Sequence, residues 1–88
     1  MFKEGQVVYS AAGHDGGSLY VVVAVEEGGF CRIADGRRRR LASPKKKNQK
    51  HLRPTQMRVE LEEIGSDRAL RRALAALGLR PTDPGPAE

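Results

Sequence analysis

The stretch GQVVYSAAGHDGGSLYVVVAV, residues 5–25, decides the fold. Val7, Val8 and Tyr9 favour extended backbone, so Gly5–Ser10 is expected as a strand. Ser18–Val25 is a second run of apolar, largely β-branched residues and is expected to pair with the first. AAGHDGG, residues 11–17, lies between them. It is rich in glycine and carries Asp15, whose carboxylate can bond neighbouring backbone amides, so it has the chemistry of a tight turn.

Working outward, EEGG (26–29) reads as a second hairpin turn and FCRIAD (30–35) as the returning strand, with Cys31 and Ile33 facing inward. Asp35-Gly36 is a further hairpin signal, which predicts a short fourth strand around Arg39–Ala42 that Pro44 then stops. PKKKNQKH (44–51) reads as a loop. In MRVEL (57–61), Met57, Val59 and Leu61 alternate with polar residues, which predicts a last strand with these three on one face. About five short strands with turns between them make the chain mainly β, a small barrel over residues 3–64. The period then changes. Ser66 is a good N-cap, and Leu70, Ala73, Leu74 and Leu77 form one helical stripe, predicting a helix over 66–78 within a C-terminal segment 65–80. Gly78 and Pro81 are stop signals, and the proline-rich tail 81–88 is expected to be disordered.

The net charge of +5 is unevenly distributed. Residues 37–53 hold nine of the sixteen basic residues, and no acid lies between Asp35 and Glu60. The rest of the chain, with seven basic and eleven acidic residues, sums to −4. A local cationic patch on a near-neutral body is a footprint for a polyanion. The bland readings of the same run are a solvated loop or a localisation signal. Cys31 is the single cysteine, which excludes an internal disulfide and a zinc site of the usual kind, and points to a reducing, cytoplasmic setting. No apolar run approaches the ~20 residues of a membrane span, and the N-terminal MFKEGQVVYS lacks the apolar core of a signal peptide.

Residues 5–25 resemble a KOW motif, with Gly13, His14, Asp15 and Gly17 at the turn and Gly17 matching the characteristic glycine. The likeness continues through IADGRRRRLASPKKKNQKHL (33–52), in which an Ala-Asp-Gly turn is followed by a basic segment and a Pro-Lys-Lys-Lys-Asn run. Across about two-thirds of its length the chain resembles KOW-containing RNA-binding proteins, a group similar to archaeal and eukaryotic large-subunit ribosomal proteins. Gly16 departs from the pattern, standing where many KOW sequences carry Lys. The resemblance implies an SH3-like barrel that binds RNA, often ribosomal RNA.

The candidate RNA-binding residues are Arg37, Arg38, Arg39, Arg40, Lys45, Lys46, Lys47, Asn48, Lys50, His51 and Arg53. Arg offers phosphate a planar fork and Lys a mobile point charge. Asn48 and His51 can hydrogen-bond bases and 2′-hydroxyls. These groups are expected on one rim of the barrel. With only Phe2, Tyr9, Tyr20 and Phe30 as aromatics, a reader of folded RNA is favoured over a stacking platform for single strands. No catalytic constellation, metal site or cofactor is expected, and a monomer is the expected state. The alternatives are a protein-interaction module using the barrel face or the leucine stripe, and a DNA-binding barrel.

Overall fold

The computed structural model describes residues 2–10 and 19–77. Five strands make one antiparallel sheet: β1 (Gln6–Ser10), β2 (Leu19–Glu26), β3 (Phe30–Ala34), β4 (Lys45–Asn48) and β5 (Leu52–Arg58). Their spatial order is β4-β3-β2-β1-β5, and one helix, α1 (Asp67–Ala76), follows. The edge strands β4 and β5 are neighbours in sequence, joined by a single 3₁₀ turn, Gln49–His51. In a flat sheet they would lie roughly 19 Å apart at the usual strand spacing. A 3₁₀ connection this short covers only about half that distance. The sheet must therefore curl until its two edges approach, which makes a small barrel-like fold.

The middle of the sheet is buried on both faces. Val8, Tyr20, Val22, Cys31, Ile33 and Leu52 form the core on one face, with Phe2 packed against it. Val7, Tyr9, Leu19, Val21 and Ala34 form the other core together with Leu70 and Leu74 of α1. Alternation along β1 and β2 sorts successive residues into the two clusters. That explains why LYVVV, residues 19–23, is apolar without a break: a strand segment covered on both sides needs no polar face. Ser66 caps α1 by accepting a bond of 3.1 Å from the Ala69 amide. Leu70 and Leu74 then lie on the sheet, so the leucine stripe covers the core.

Three expectations are corrected. No strand forms over Arg39–Ala42, and Lys45–Asn48, read as loop, is β4. The reason lies in Asp35, whose Oδ1 accepts from the amides of Arg37 (2.9 Å) and Arg39 (3.0 Å) and so takes donors that a hairpin ladder would need. Pairing resumes after Pro44, opposite β3, with Ile33 facing Lys45 and Phe30 facing Asn48. A lysine-rich strand is unusual at the centre of a sheet and ordinary at an edge, where charge discourages further pairing. The last strand also comes earlier than Met57–Leu61: β5 is Leu52–Arg58, and Leu61–Glu63 is a 3₁₀ turn. Pro54 disguises it, and an edge strand tolerates the missing N–H. Thr55 repairs the irregular register by donating its hydroxyl to Val7 O (2.8 Å) and accepting from Met57 N (3.1 Å). Met57 is exposed, whereas Val59 and Leu61, expected on the same face, pack against the core. The helix, expected over 66–78, is observed over 67–76, and Gly78, the tail 81–88, the expected turn 11–17 and Ser18 lie outside the described residues.

Candidate nucleic-acid interface

The basic residues follow the chain through a loop, an edge strand and a turn. The loop, residues 35–43, is self-braced. Asp35 holds the Arg37 and Arg39 amides, while the Arg39 carbonyl accepts from the amides of Asp35 (2.9 Å) and Gly36 (3.0 Å). The backbone thus folds around a partly exposed carboxylate-to-amide knot, and Arg37, Arg38 and Arg40 are exposed at its surface. Arg39 differs. It is half-buried, and its shielded Nε has no hydrogen-bond partner among the described residues.

The loop is also held from outside by α1. Asp67 Oδ1 accepts from the Leu41 amide at 2.8 Å, and Arg71 donates to the Gly36 carbonyl at 2.7 Å. Gly36 has φ +83°, and a Cβ there would lie 2.5 Å from the Asp67 carbonyl oxygen and 2.9 Å from Arg71 Cγ. The Asp-Gly pair that looked like a hairpin turn is the seat of the helix.

Along β4 the three lysines part company. Cross-strand partners share a face. Lys45 and Lys47 therefore sit on the side of Ile33 and Cys31, half-buried, and Lys46 on the side of Arg32, exposed. Lys46 Nζ lies 3.7 Å from Glu26 and 4.8 Å from the centroid of the Phe30 ring. Arg32 Nε meets the same carboxylate at 2.7 Å. The hydrogen bond from Arg32, supported by both positive charges, outweighs desolvation and holds the Glu26 carboxyl below its ordinary value. Glu26 is therefore a counter-charge inside the patch, and the sequence reading, which placed it in a turn, missed it. Its register opposite Phe30 at the mouth of the hairpin is the signal that could have found it.

At the far end of β4, Asn48 Oδ1 caps the turn by accepting from Lys50 N (3.0 Å), and the Gln49 amide bonds the Gly29 carbonyl (2.8 Å). Asn48 thus has a structural task for its oxygen, which leaves its amide nitrogen as the donor available to a ligand. Lys50 and His51 are exposed on the turn, and Arg53 is exposed on β5 opposite Tyr9. The arginine loop and the Lys50–His51 turn consequently lie at opposite ends of β4, roughly 10–13 Å apart by strand rise. The cations form a stripe along an open sheet edge, where one rim was expected. The KOW-turn residues Gly13, His14, Asp15 and Gly17 lie outside the described residues.

Among the described residues no group of three or more His, Cys, Asp or Glu side chains could hold a metal, and no helix is long and apolar enough to cross a membrane. Cys31 is fully buried, and burial, with a smaller contribution from the Glu26 charge, raises its thiol pKa, which disfavours the reactive thiolate.

No protein-family model matches the chain. It is 35% identical over 75 residues to large ribosomal subunit protein eL14 of Methanococcus maripaludis, a match covering 85% of this chain and 91% of that protein. The matched length extends well past the KOW-like region and takes in most of the molecule. The chain belongs to the eL14 family of large-ribosomal-subunit proteins.

Proposed function

We propose that this protein binds folded ribosomal RNA of the large subunit, docking the stripe along β4 on the phosphate backbone. One observation carries the reading: of the nine cations of residues 37–53, eight are strung along one loop, one edge strand and one turn, and the ninth, Arg53, follows on β5, with Glu26 an acid bridged to Lys46 among them. The relation to a large-subunit ribosomal protein supplies the class of RNA. Arg37, Arg38 and Arg40 offer forks to phosphate from a braced loop, Lys45–Lys47 add point charges, and Asn48, Lys50, His51 and Arg53 supply donors at the far end. The role is structural and non-enzymatic.

The test is the salt dependence of binding to deproteinised large-subunit ribosomal RNA. With about five phosphate contacts, the log–log slope is roughly −3.5 to −4.5, so affinity falls about a hundredfold or more between ~50 and ~200 mM salt. Duplex DNA of equal charge competes poorly, because it lacks 2′-hydroxyls and A-form shape. A shallow slope would overturn electrostatic docking, and equal competition by DNA would move the reading to a DNA-binding barrel. Arg37, Arg38 and Arg40 changed together to Glu abolish binding while the fold persists.

A further inference from the structure

We infer that α1 is part of the RNA-binding apparatus, with Asp67 and Arg71 acting as positioning residues that hold the arginine loop in its binding conformation. The inference rests on the reading of the basic stripe as the RNA site and assigns the helix a task within it. Leu70 and Leu74, on the core side of α1, suffice to cover the sheet. Asp67 and Arg71 are one turn apart on another side of the helix, and both reach the loop backbone. They take one donor and one acceptor of the loop: the Leu41 amide at one end and the Gly36 carbonyl at the other. Asp35 ties the amides between these anchors. The segment from Gly36 to Leu41 is thereby pinned at both ends and in the middle, and each loop group that is held is a backbone amide or carbonyl rather than a loop arginine side chain. The guanidinium groups of Arg37 and Arg40 keep their forks for a ligand, on a backbone that has little freedom left to lose. Ordering rotamer-rich side chains and their loop is a main cost of association, and a pre-formed loop avoids part of it.

The electrostatics make the inference discriminating. Asp67 is an acid beside a cationic loop, so on charge alone its removal should strengthen RNA binding. Positioning requires the reverse.

The experiment compares full-length wild type, Asp67→Ala and Asp67→Asn on deproteinised large-subunit ribosomal RNA. Binding is measured well below the melting temperature of each protein, with folding verified by circular dichroism. Asp67→Ala is expected to bind about tenfold more weakly, in line with the ordering of one or two arginine side chains. Its salt slope is expected to become shallower by about two contacts, because the loop arginines no longer engage together. Asp67→Asn also lacks the charge but keeps an oxygen able to accept from the Leu41 amide, and is expected to restore both affinity and slope. A defect of stability alone would leave the slope unchanged in the folded protein. Affinity of Asp67→Ala equal to or tighter than wild type would overturn the positioning role while leaving the RNA reading intact. Failure of wild type to show salt-dependent binding would remove both. Hydrogen exchange on wild type gives a readout that needs no variant: the Leu41 amide is expected to be protected in free protein, and exchange at the rate of an open loop would overturn the inference.

Discussion

The carboxylate of Asp67 accepts a 2.8 Å hydrogen bond from the backbone amide of Leu41, 26 residues earlier in the chain. This contact joins α1 to the arginine-rich loop, and with the Arg71–Gly36 bond it makes their conformations interdependent. A carboxylate in the first turn is also favoured by the helix dipole, so Asp67 serves the helix and the loop with one charge.

Leu70 is fully buried between α1 and the sheet. Leu70→Ala is expected to destabilise the protein by about 3 kcal/mol, the transfer and cavity cost of a buried leucine. In a domain of this size that lowers the melting temperature by roughly 10–20 °C. Thermal unfolding followed by circular dichroism checks it, and a change of only a degree or two would mean that α1 does not depend on the sheet.

Gly29 and Gly36 share φ +83° but differ in surroundings. A Cβ on Gly29 meets nothing within 4 Å, whereas on Gly36 it meets the Asp67 carbonyl oxygen at 2.5 Å. Gly29→Ala is expected to cost about 1 kcal/mol, the backbone strain alone. Gly36→Ala adds a clash with backbone and is expected to cost about 2 kcal/mol more. Urea denaturation of the two variants separates strain from contact, and equal losses would contradict the seating of the helix on Gly36.

Glu26 restrains Arg32 and Lys46 at 2.7 and 3.7 Å. Glu26→Gln releases both cations, and RNA affinity is expected to rise roughly threefold with a steeper salt slope. The pH dependence has a definite sign. The folded carboxyl is held below its ordinary value, so its contribution to stability is present above the unfolded value and is lost as pH falls through the folded one. The bridges therefore persist at neutral pH and break only in acid. Fluorescence anisotropy with labelled RNA measures the affinity, and weaker binding by Glu26→Gln would show that the carboxylate orients Lys46 toward the ligand.

Cys31 lies inside the sheet with a raised thiol pKa. Native protein is expected to react with a thiol reagent about a thousandfold more slowly than denatured protein, because reaction awaits unfolding. Labelling time courses with and without denaturant check it, and fast native labelling would place Cys31 at a mobile edge.

The strands β1, β2 and β3 and the helix were legible in the sequence because each is a local pattern. Branched apolar runs between glycine turns mark the strands, and Ser66 with a 3.6-residue leucine stripe marks the helix. Local charge was equally legible, since a cationic run without acids needs no fold to be recognised. Tertiary structure decided the rest. Lys45–Asn48 has poor strand propensity and becomes β4 only because β3 offers an unpaired edge. RRRR has no strand because the Asp35 and Asp67 carboxylates capture backbone donors that an isolated hairpin would have used itself. Glu26 is matched to Lys46, and Asp67 to Leu41, across separations of 20 residues or more at which no periodicity survives. Propensity and pattern act over a few residues, whereas the partners of a carboxylate are whatever the folded chain brings within 3–4 Å of it.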